Sequence, residues 1–193
     1  MKRYLLACLL ILVAAAYFLA APFIGLWRLQ SAVAARNTAA LDERIDFLRV
    51  RRSLAAQVIA TYLDISGKRA ELGALGSALA TNVGATLADP MLNDLINPER
   101  MLDLLAGRGV ASLHLAPGSA VLPKDALGSL WQAFLNCEYG IGNFYISVPV
   151  NADAAEQYRL RLQVLQWTWT VTEIGLPQRV RIELAKELQR RIG

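Results

Sequence analysis

The chain is poor in the side chains that most often bind metals or act as nucleophiles. Its 193 residues include one histidine, His114, and two cysteines, Cys8 and Cys137. Cys8 lies in an apolar N-terminal run, so the rest of the chain has a single thiol and cannot form a disulfide within itself. Cys137 has no second cysteine or histidine nearby in the sequence, which leaves no metal-ligand spacing. We therefore assign no metal, no cofactor and no catalytic residue.

Charged residues are also scarce, at 19% of the chain, and their signs nearly balance. The 20 basic and 16 acidic side chains leave a net charge of +4, of which Lys2 and Arg3 supply half. Nucleic-acid binding needs basic side chains clustered to neutralise phosphates, so this balance argues against it. Hydrophobic residues make up 55% of the chain and the mean hydropathy is +0.34. That composition excludes a disordered protein.

The most prominent feature that is present is an apolar run at the N-terminus. Residues 4–27 carry no formal charge. As a helix they would be about 36 Å long, enough to cross a hydrocarbon core of about 30 Å. Lys2 and Arg3 precede the run as in a secretory signal, so a cleaved signal peptide is the alternative. We favour an uncleaved anchor, because the small residues that offer a cleavage site, at 14–16, lie inside the run.

This interpretation divides the chain into three parts. Residues 1–3 are a cytoplasmic n-region, residues 4–27 a transmembrane anchor and residues 28–193 a single extracytoplasmic α+β domain. The orientation follows from Lys2 and Arg3, since export signals begin in this way. We therefore expect a single-pass protein of the cytoplasmic (inner) membrane with its C-terminal domain in the periplasm.

Helical periodicity recurs through the first two thirds of the chain. It predicts helices over 26–36, continuing from the apolar run, and over 48–64, 72–88, 98–106 and 125–134. Asn37 and Asn97 are predicted N-caps, Pro98 occupies a first helical position, and Asp89 and Pro90 are predicted to break a helix. A charged closing helix is predicted over 177–192.

Small residues repeat every fourth position in the helix predicted over 72–88. Gly76, Ala80, Gly84 and Ala88 would allow another helix to approach closely, an arrangement used inside membranes. Three interpretations are open: a close-packed surface or core helix, a helix that contacts the membrane, and a second span. We favour the first because polar residues such as Asn82 lower the hydropathy and the length is marginal for a span.

Strand periodicity follows. Apolar residues alternate with others over 143–150, 158–164 and 167–172, which predicts an antiparallel sheet of about three strands, and a further short strand is predicted over 111–115. Pro149 points to an edge position for the first run. The parity of the apolar positions changes near Leu165 and Gln166, so the chain has to turn or bulge there. The predicted fold is therefore α+β, with helices first, then the sheet and a closing helix.

A carboxylate near the start of the second helix is one candidate for ligand binding. Asp46 lies between two apolar residues, three positions before Arg49 and six before Arg52. It either caps the helix and pairs with Arg49, or is a buried carboxylate that faces a ligand. The arginines around it are either a solvated helix face or contacts for anionic lipid headgroups. Proton transfer by His114 as a general base, together with Asp46 or Glu138, is a further hypothesis.

Aromatic residues at strand spacing are the other candidates. Tyr145, Tyr158, Trp167 and Trp169 either belong to the core or line an apolar pocket. They complete the predicted ligand-binding set with Asp46, Arg49 and Arg52.

Several blocks together resemble a bacterial family of membrane-anchored proteins known only as domain of unknown function 2939. They are IDFLRVRRSL (45–54), which is the most specific, NDLINPE (93–99) and WTVTEIGLP (169–177), after WRL (27–29) and AARN (34–37). The resemblance covers residues 1 to about 177. The chain departs from it at LQWT (165–168), where such proteins usually have an Asp-Gly or similar hairpin turn. The resemblance implies a location and a fold, because the family has no established activity.

The order of helices and sheet is also similar to the cup-shaped α+β folds of the nuclear transport factor 2 type, which can enclose an apolar pocket. We therefore expect a membrane-anchored binding or interaction module, for a lipid or an envelope protein. One alternative is a small cup-shaped enzyme that uses Asp46 or His114. The other is a structural envelope component without a ligand.

Overall fold

A computed structural model describes the backbone of residues 2–106, 137–140, 142–148 and 153–192, with most of their side chains. The strand predicted over 111–115, the helix predicted over 125–134 and His114 lie outside these residues. The helices are α1 (Lys2–Ala34), α2 (Thr38–Asp42), α3 (Phe47–Ile65), α4 (Lys68–Leu95), α5 (Pro98–Leu105) and α6 (Gln178–Ile192). The strands are β1 (Cys137–Gly140), β2 (Asn143–Val148), β3 (Tyr158–Leu165) and β4 (Thr168–Gly175), and a 3₁₀ turn, Ala154–Glu156, precedes β3. The α+β fold is confirmed.

Helix α1 joins the apolar run and the helix predicted after it into one element of 33 residues. Its two halves differ in burial. The large apolar side chains described between Tyr4 and Phe18 are exposed, whereas Leu26, Leu29 and Val33 are buried in the core. Counted over the part of the chain that the structure describes, no helix is both long and apolar enough for a membrane crossing.

The predicted N-caps are confirmed, and each places an amide oxygen on a free N–H of the first turn. Asn37 Oδ1 accepts from Ala40 N–H at 3.0 Å at the start of α2. Asn97 Oδ1 accepts from Arg100 N–H at 2.9 Å at the start of α5, directly before Pro98. These caps let α2 follow α1, and α5 follow α4, with short connections.

Helix α4 is longer than predicted. The break predicted at Asp89 and Pro90 is wrong, since the helix continues to Leu95. A proline removes one backbone hydrogen bond, which a long helix can lose without ending. The interruption lies instead at Gly73, where φ is 68° and ψ is −178°. Glycine adopts this conformation without the steric cost that a Cβ would impose.

Helix α4 packs on α3 through one of its small residues. A Cβ added at Gly84 would lie 2.8 Å from Ile59 Cδ1 in α3, whereas the nearest atom to one at Gly76 belongs to Leu72 of α4 itself. The contact at Gly84 agrees with the close-packed interpretation. In the same stretch of α4, Leu75, Leu79 and Val83 are exposed.

The sheet has four antiparallel strands in the order β1-β2-β3-β4, so the prediction of about three strands is wrong. The missed strand, β1, has four residues, too few to show an alternation. The edge position predicted from Pro149 is also wrong, because β2 ends at Val148 and pairs on both sides. The predicted turn near Leu165 is confirmed: Gln166 and Trp167 connect β3 to β4, and both have positive φ. A bulge between Arg161 and Leu162 further shifts the pairing with β4.

The core lies between the inner face of the sheet and the helices. Its members come from α1, α2, α3, α5, α6 and every strand from β2 to β4, and they include Leu29, Leu41, Val50, Leu102, Phe144, Leu160, Leu162, Val171, Ile174 and Val180. The edge of β4 is covered in part by a parallel bridge, in which Asp46 N–H donates to the Val171 carbonyl and Val171 N–H to the Arg44 carbonyl. Gln57 of α3 also bonds the backbone at Ile174 and Leu176.

Candidate functional site

The sheet has a buried inner face and a polar outer face. Phe144, Ile146, Leu160 and Leu162 are buried on the inner face. The residues between them point the other way, because side chains alternate along a strand. With their partners in register, they are Glu138 of β1, Asn143, Tyr145 and Ser147 of β2, Arg159, Arg161 and Gln163 of β3, and Glu173 of β4. We call these residues the outer face.

Tyr145 lies at the centre of the outer face between two arginines. The Arg159 guanidinium is 4.8 Å from the centroid of the tyrosine ring, and that of Arg161 is 5.5 Å away. Strand pairing explains the arrangement, since Arg161 is directly opposite Tyr145 and Arg159 is two residues along. Cation–π contacts at exposed sites contribute about 0.5–1 kcal/mol each, so the pair holds the ring in a defined orientation.

Asn143 connects the neighbouring polar side chains. Its Oδ1 accepts from Arg161 Nη2 at 3.0 Å, from Arg161 Nε at 3.2 Å and from Gln163 Nε2 at 2.8 Å. Arg161 also pairs with Glu173 at 3.4 Å, and Arg159 pairs with Glu138. Each arginine therefore has a carboxylate partner, and the outer face carries balanced charge.

Two of the predicted site residues extend this network to α3. Asp46 is the N-cap of that helix: its Oδ1 accepts from Arg49 N–H at 3.0 Å, and its Oδ2 lies 3.2 Å from Arg49 Nε. Arg49 Nη1 donates in turn to Gln163 Oε1 at 3.2 Å. The structure thus brings Asp46, Arg49 and Tyr145 to one face of the molecule, and Asp46 has the capping and pairing role of its simpler interpretation. Arg52 lies exposed on the next turn of α3.

The four predicted aromatic residues occupy three different places. Tyr158 and Trp169 are buried on the inner face, 3% and 7% exposed, toward opposite ends of the sheet. Tyr145 is on the outer face, and Trp167 is at the tip of the β3–β4 hairpin, 99% exposed. The structure does not bring them together around one pocket.

A cluster of aromatic side chains that the sequence did not reveal joins α1 to the sheet. Phe18 and Phe23 of α1 meet Tyr139, Phe144 and Trp169, with ring centroids between 5.1 and 6.4 Å apart. The Tyr139 hydroxyl donates to the Phe18 carbonyl at 2.8 Å. That carbonyl has no helical donor four residues on, because Pro22 has no N–H. Pro22 is thus a sequence signal that the Phe18 carbonyl needs another donor, although it does not identify Tyr139 as that donor.

Burial raises the pKa of three side chains of the sheet. Desolvation raises the pKa of the Cys137 thiol, against a smaller lowering by a backbone hydrogen bond. Desolvation and the neighbouring Cys137 raise the pKa of Tyr139. Desolvation also raises the pKa of Tyr158, which Arg179 partly offsets. A thiol that keeps its proton is a poor nucleophile and a poor metal ligand.

Within the described ranges, no group of three or more histidine, cysteine or acidic residues is placed to hold a metal ion. The polar groups of the outer face are hydrogen-bond donors and acceptors rather than a nucleophile with its base. Chemically, the arrangement is suited to recognise a polar surface.

Residues 11–104 match a family model described as "Protein of unknown function (DUF2939)". The match confirms the resemblance seen in the sequence, over a shorter stretch that runs from α1 to α5. No curated protein and no solved structure matches the chain.

Proposed function

We propose that this chain, which belongs to the DUF2939 family over residues 11–104, is a membrane-anchored interaction module of the cell envelope. Helix α1 attaches it to the membrane, and the outer face of the sheet is presented to a partner protein. The proposal retains the predicted single-pass topology, with the domain on the periplasmic side of the inner membrane.

The contrast between the two halves of α1 carries the proposal. Exposed large apolar side chains follow one another along the first half, at Tyr4, Leu6, Leu9, Leu10, Ile11, Leu12, Val13, Tyr17 and Phe18. Water makes such a surface costly, by about 25 cal/mol for each Å² of apolar area. Soluble monomers rarely expose a contiguous apolar patch of this kind. Contact with lipid would remove this free-energy cost of exposing the first half to water. The second half of α1 has no such cost, because it is already buried in the domain.

The length of the exposed half supports a domain that sits directly on the lipid. Residues 4–18 extend about 22 Å as a helix, less than the roughly 30 Å of a hydrocarbon core. An anchor predicted over residues 4–27 therefore includes residues that also contact the sheet, from Phe18 to Leu26. No linker separates the anchor from the domain, because α1 is continuous.

The chemistry of the outer face favours a protein partner. Its arginines are paired with Glu138 and Glu173, so the face has no surplus of positive charge for a phosphate polymer. Tyrosine and arginine are enriched where proteins bind one another. Arg159 and Tyr145 together offer a flat, hydrogen-bonding surface for such a contact.

The membrane attachment is tested by washing membranes from expressing cells with alkaline carbonate. The full-length chain should stay in the pellet, and a phosphatase fused after Gly193 should be active in a bacterial host. Recovery of the intact chain in the supernatant would contradict the proposal. An inactive phosphatase beside an active cytoplasmic reporter would reverse the orientation alone.

The partner-binding role is tested with a photo-reactive amino acid on the sheet. Position 147, where Ser147 lies on the outer face opposite Arg159, is the probe, and position 186, an exposed site on α6, is the matched control. A discrete crosslinked protein that forms from position 147 and not from position 186 supports the role. Equal or absent crosslinking at both positions contradicts it.

A further inference from the structure

The two edges of the sheet lie at different levels along α1. Tyr139 of β1 donates to the Phe18 carbonyl, whereas Trp169 of β4 lies against Gly25, where an added Cβ would be 3.1 Å from the Trp169 Cβ. Gly25 follows Phe18 by seven residues, which is about 10 Å along a helix. β1 and β4 are the edges of the sheet that the structure describes, so α1 crosses this sheet from one edge to the other. The β1 edge is therefore the one nearer to the exposed apolar half of α1.

The exposed apolar surface of α1 meets the sheet at this edge. Tyr17 and Phe18 are both exposed, and the Phe18 ring centroid is 6.2 Å from that of Tyr139, which is exposed as well. Tyrosine is enriched at the boundary between lipid and water, because its ring is apolar and its hydroxyl can reach a polar partner. The three aromatic side chains therefore indicate a lipid boundary at the level of Phe18, beside β1.

A boundary at Phe18 makes the apolar segment shorter than a typical hydrocarbon core, about 22 Å against roughly 30 Å. A short segment is accommodated by local thinning of the bilayer and by long basic side chains that reach the far interface. Lys2 and Arg3 precede the segment in the sequence. A boundary farther along α1 would instead place Glu138 of β1 in hydrocarbon, where a charged side chain is costly. Phe18 is thus the level at which the apolar helix is covered by lipid and β1 stays among polar groups.

The polar side chains at the β1 edge match a zwitterionic headgroup. Glu138 and Arg159 form an ion pair, and both side chains are exposed. The pair presents one carboxylate and one guanidinium and has no net charge. A carboxylate accepts hydrogen bonds from an ammonium group, and a guanidinium donates them to a phosphate. A phosphatidylethanolamine headgroup carries both of these partners.

We propose that the β1 edge lies in the headgroup layer of the bilayer that α1 enters, with Glu138 and Arg159 in contact with the ammonium and phosphate groups of zwitterionic lipids. This inference rests on the membrane attachment proposed above and deepens it, because it names the edge of the domain that meets the lipid. The β4 edge then points away from the bilayer. The outer face is turned sideways, since α1 lies along the inner face, and it stays open to a partner protein.

Two glutamates provide a matched pair of positions for the test. Glu138, Tyr145, Arg161 and Glu173 are paired in register and form one row across the four strands. Glu138 and Glu173 are thus at opposite ends of this row, about 14 Å apart at the usual spacing of strands. Each is accessible on the outer face and pairs with an arginine. The two positions therefore differ mainly in the edge of the sheet on which they lie.

The experiment measures how close each position is to lipid headgroups. Glu138→Cys and Glu173→Cys are made separately in the full-length chain that also carries Cys8→Ala and Cys137→Ala, and each is labelled with a small fluorophore. The chains are placed in vesicles of phosphatidylethanolamine and phosphatidylglycerol, with a nitroxide on the headgroup of part of the lipid. We expect severalfold stronger quenching at position 138 than at position 173, because a nitroxide quenches only at short range. Circular dichroism checks that the variants are folded.

A second position on β1 leaves both glutamates in place. Gly140→Cys is suitable because an added Cβ there would make an ordinary contact, 3.7 Å from the Asn143 Cβ. A label at position 140 should be quenched as strongly as one at position 138. Arg159→Ala should weaken this quenching, whereas Arg161→Ala, farther from the β1 edge, is the matched control and should not. Equal effects of the two arginine substitutions would contradict the headgroup contact of Arg159.

Quenching that is equal at positions 138 and 173, or stronger at position 173, would overturn the inference. If the chain still pellets with carbonate-washed vesicles in that case, the attachment through α1 stands and only the contact of the β1 edge fails. If the chain leaves the vesicles altogether, both proposals fail.

Discussion

At the scale of single residues, Asp46 shows how one residue joins three elements. Its backbone N–H bonds β4 at Val171, its Oδ1 caps α3, and its Oδ2 pairs with Arg49, which reaches Gln163 of β3. The carboxylate has a structural role as the N-cap of α3. Its position follows from helix capping and strand pairing together.

Replacing Asp46 should separate capping from charge. Asp46→Ala removes both, and we expect it to lower the free energy of unfolding by about 1 kcal/mol. Asp46→Asn keeps an oxygen for the Arg49 N–H and loses only an ion pair that is partly exposed and contributes little. It should therefore be closer to the wild type in urea denaturation. Equal losses in both variants would mean that the ion pair matters more than the cap.

The hydrogen bond from Tyr139 to Phe18 can be tested through Pro22. Tyr139→Phe removes the donor, with an expected cost of about 1 kcal/mol. In a Pro22→Ala background, residue 22 supplies an N–H for the Phe18 carbonyl, so the same substitution should cost less. A double-mutant cycle from denaturation in mild detergent measures this coupling. Additive effects would contradict the assignment of Tyr139 as the replacement donor.

Tyr158 predicts a loss of stability at alkaline pH. Burial raises its pKa above the usual value of about 10, so the folded state holds the proton more tightly than the unfolded state. The contribution is complete below pH about 10 and is lost as the pH rises through the raised pKa. Tyr158→Phe keeps the ring without the ionisable group. Its free energy of unfolding should fall less steeply above pH about 10, and identical slopes would contradict the prediction.

At the scale of elements, the helix pair α3 and α4 depends on Gly84. A side chain there meets Ile59, whereas Gly76 faces Leu72 of its own helix. We expect Gly84→Leu to lower the free energy of unfolding by about 1–3 kcal/mol through overpacking. Gly76→Leu is the matched control and should cost less. Thermal unfolding of both variants compares them, and a larger loss at Gly76 would contradict the packing described for α4.

Local patterns predicted the elements that have one apolar face. The predictions over 48–64 and 177–192 agree closely with α3 and α6, because each helix carries core residues at helical spacing. The same reasoning missed β1, whose four residues show no periodicity, and it ended α4 too early at Pro90. The sequence predicted Tyr145 as a site residue but did not predict its contacts with Arg159 and Arg161. Those contacts depend on strand register rather than on neighbours in the sequence.

At the scale of the whole molecule, the helix that carries the exposed apolar surface is also part of the core. Phe23 packs against Phe144, Gly25 lies against Trp169, and Leu26 is 5% exposed. The domain therefore depends on residues that the sequence assigns to the anchor.

Two truncated chains test that dependence. A chain that begins at residue 28 loses Leu26, and with it about 2–5 kcal/mol of stability, as well as the contacts of Phe23. A chain that begins at residue 18 keeps both residues and should be the more stable of the two. Urea denaturation of the purified domains measures the difference. Equal stability would show that the contacts of residues 18–27 with the core are dispensable.

The unbroken backbone of α1 also determines how the domain can move. No loop separates the two halves of α1, and Tyr139 bonds the Phe18 carbonyl that Pro22 leaves without a helical donor, so rotation of the first half about its axis turns the sheet with it. If two anchors paired side by side in lipid, the side of α1 that formed the contact would determine the direction in which Tyr145 and its arginines face. The direction in which the protein faces its surroundings is thus decided within the bilayer, by side chains remote from the face itself.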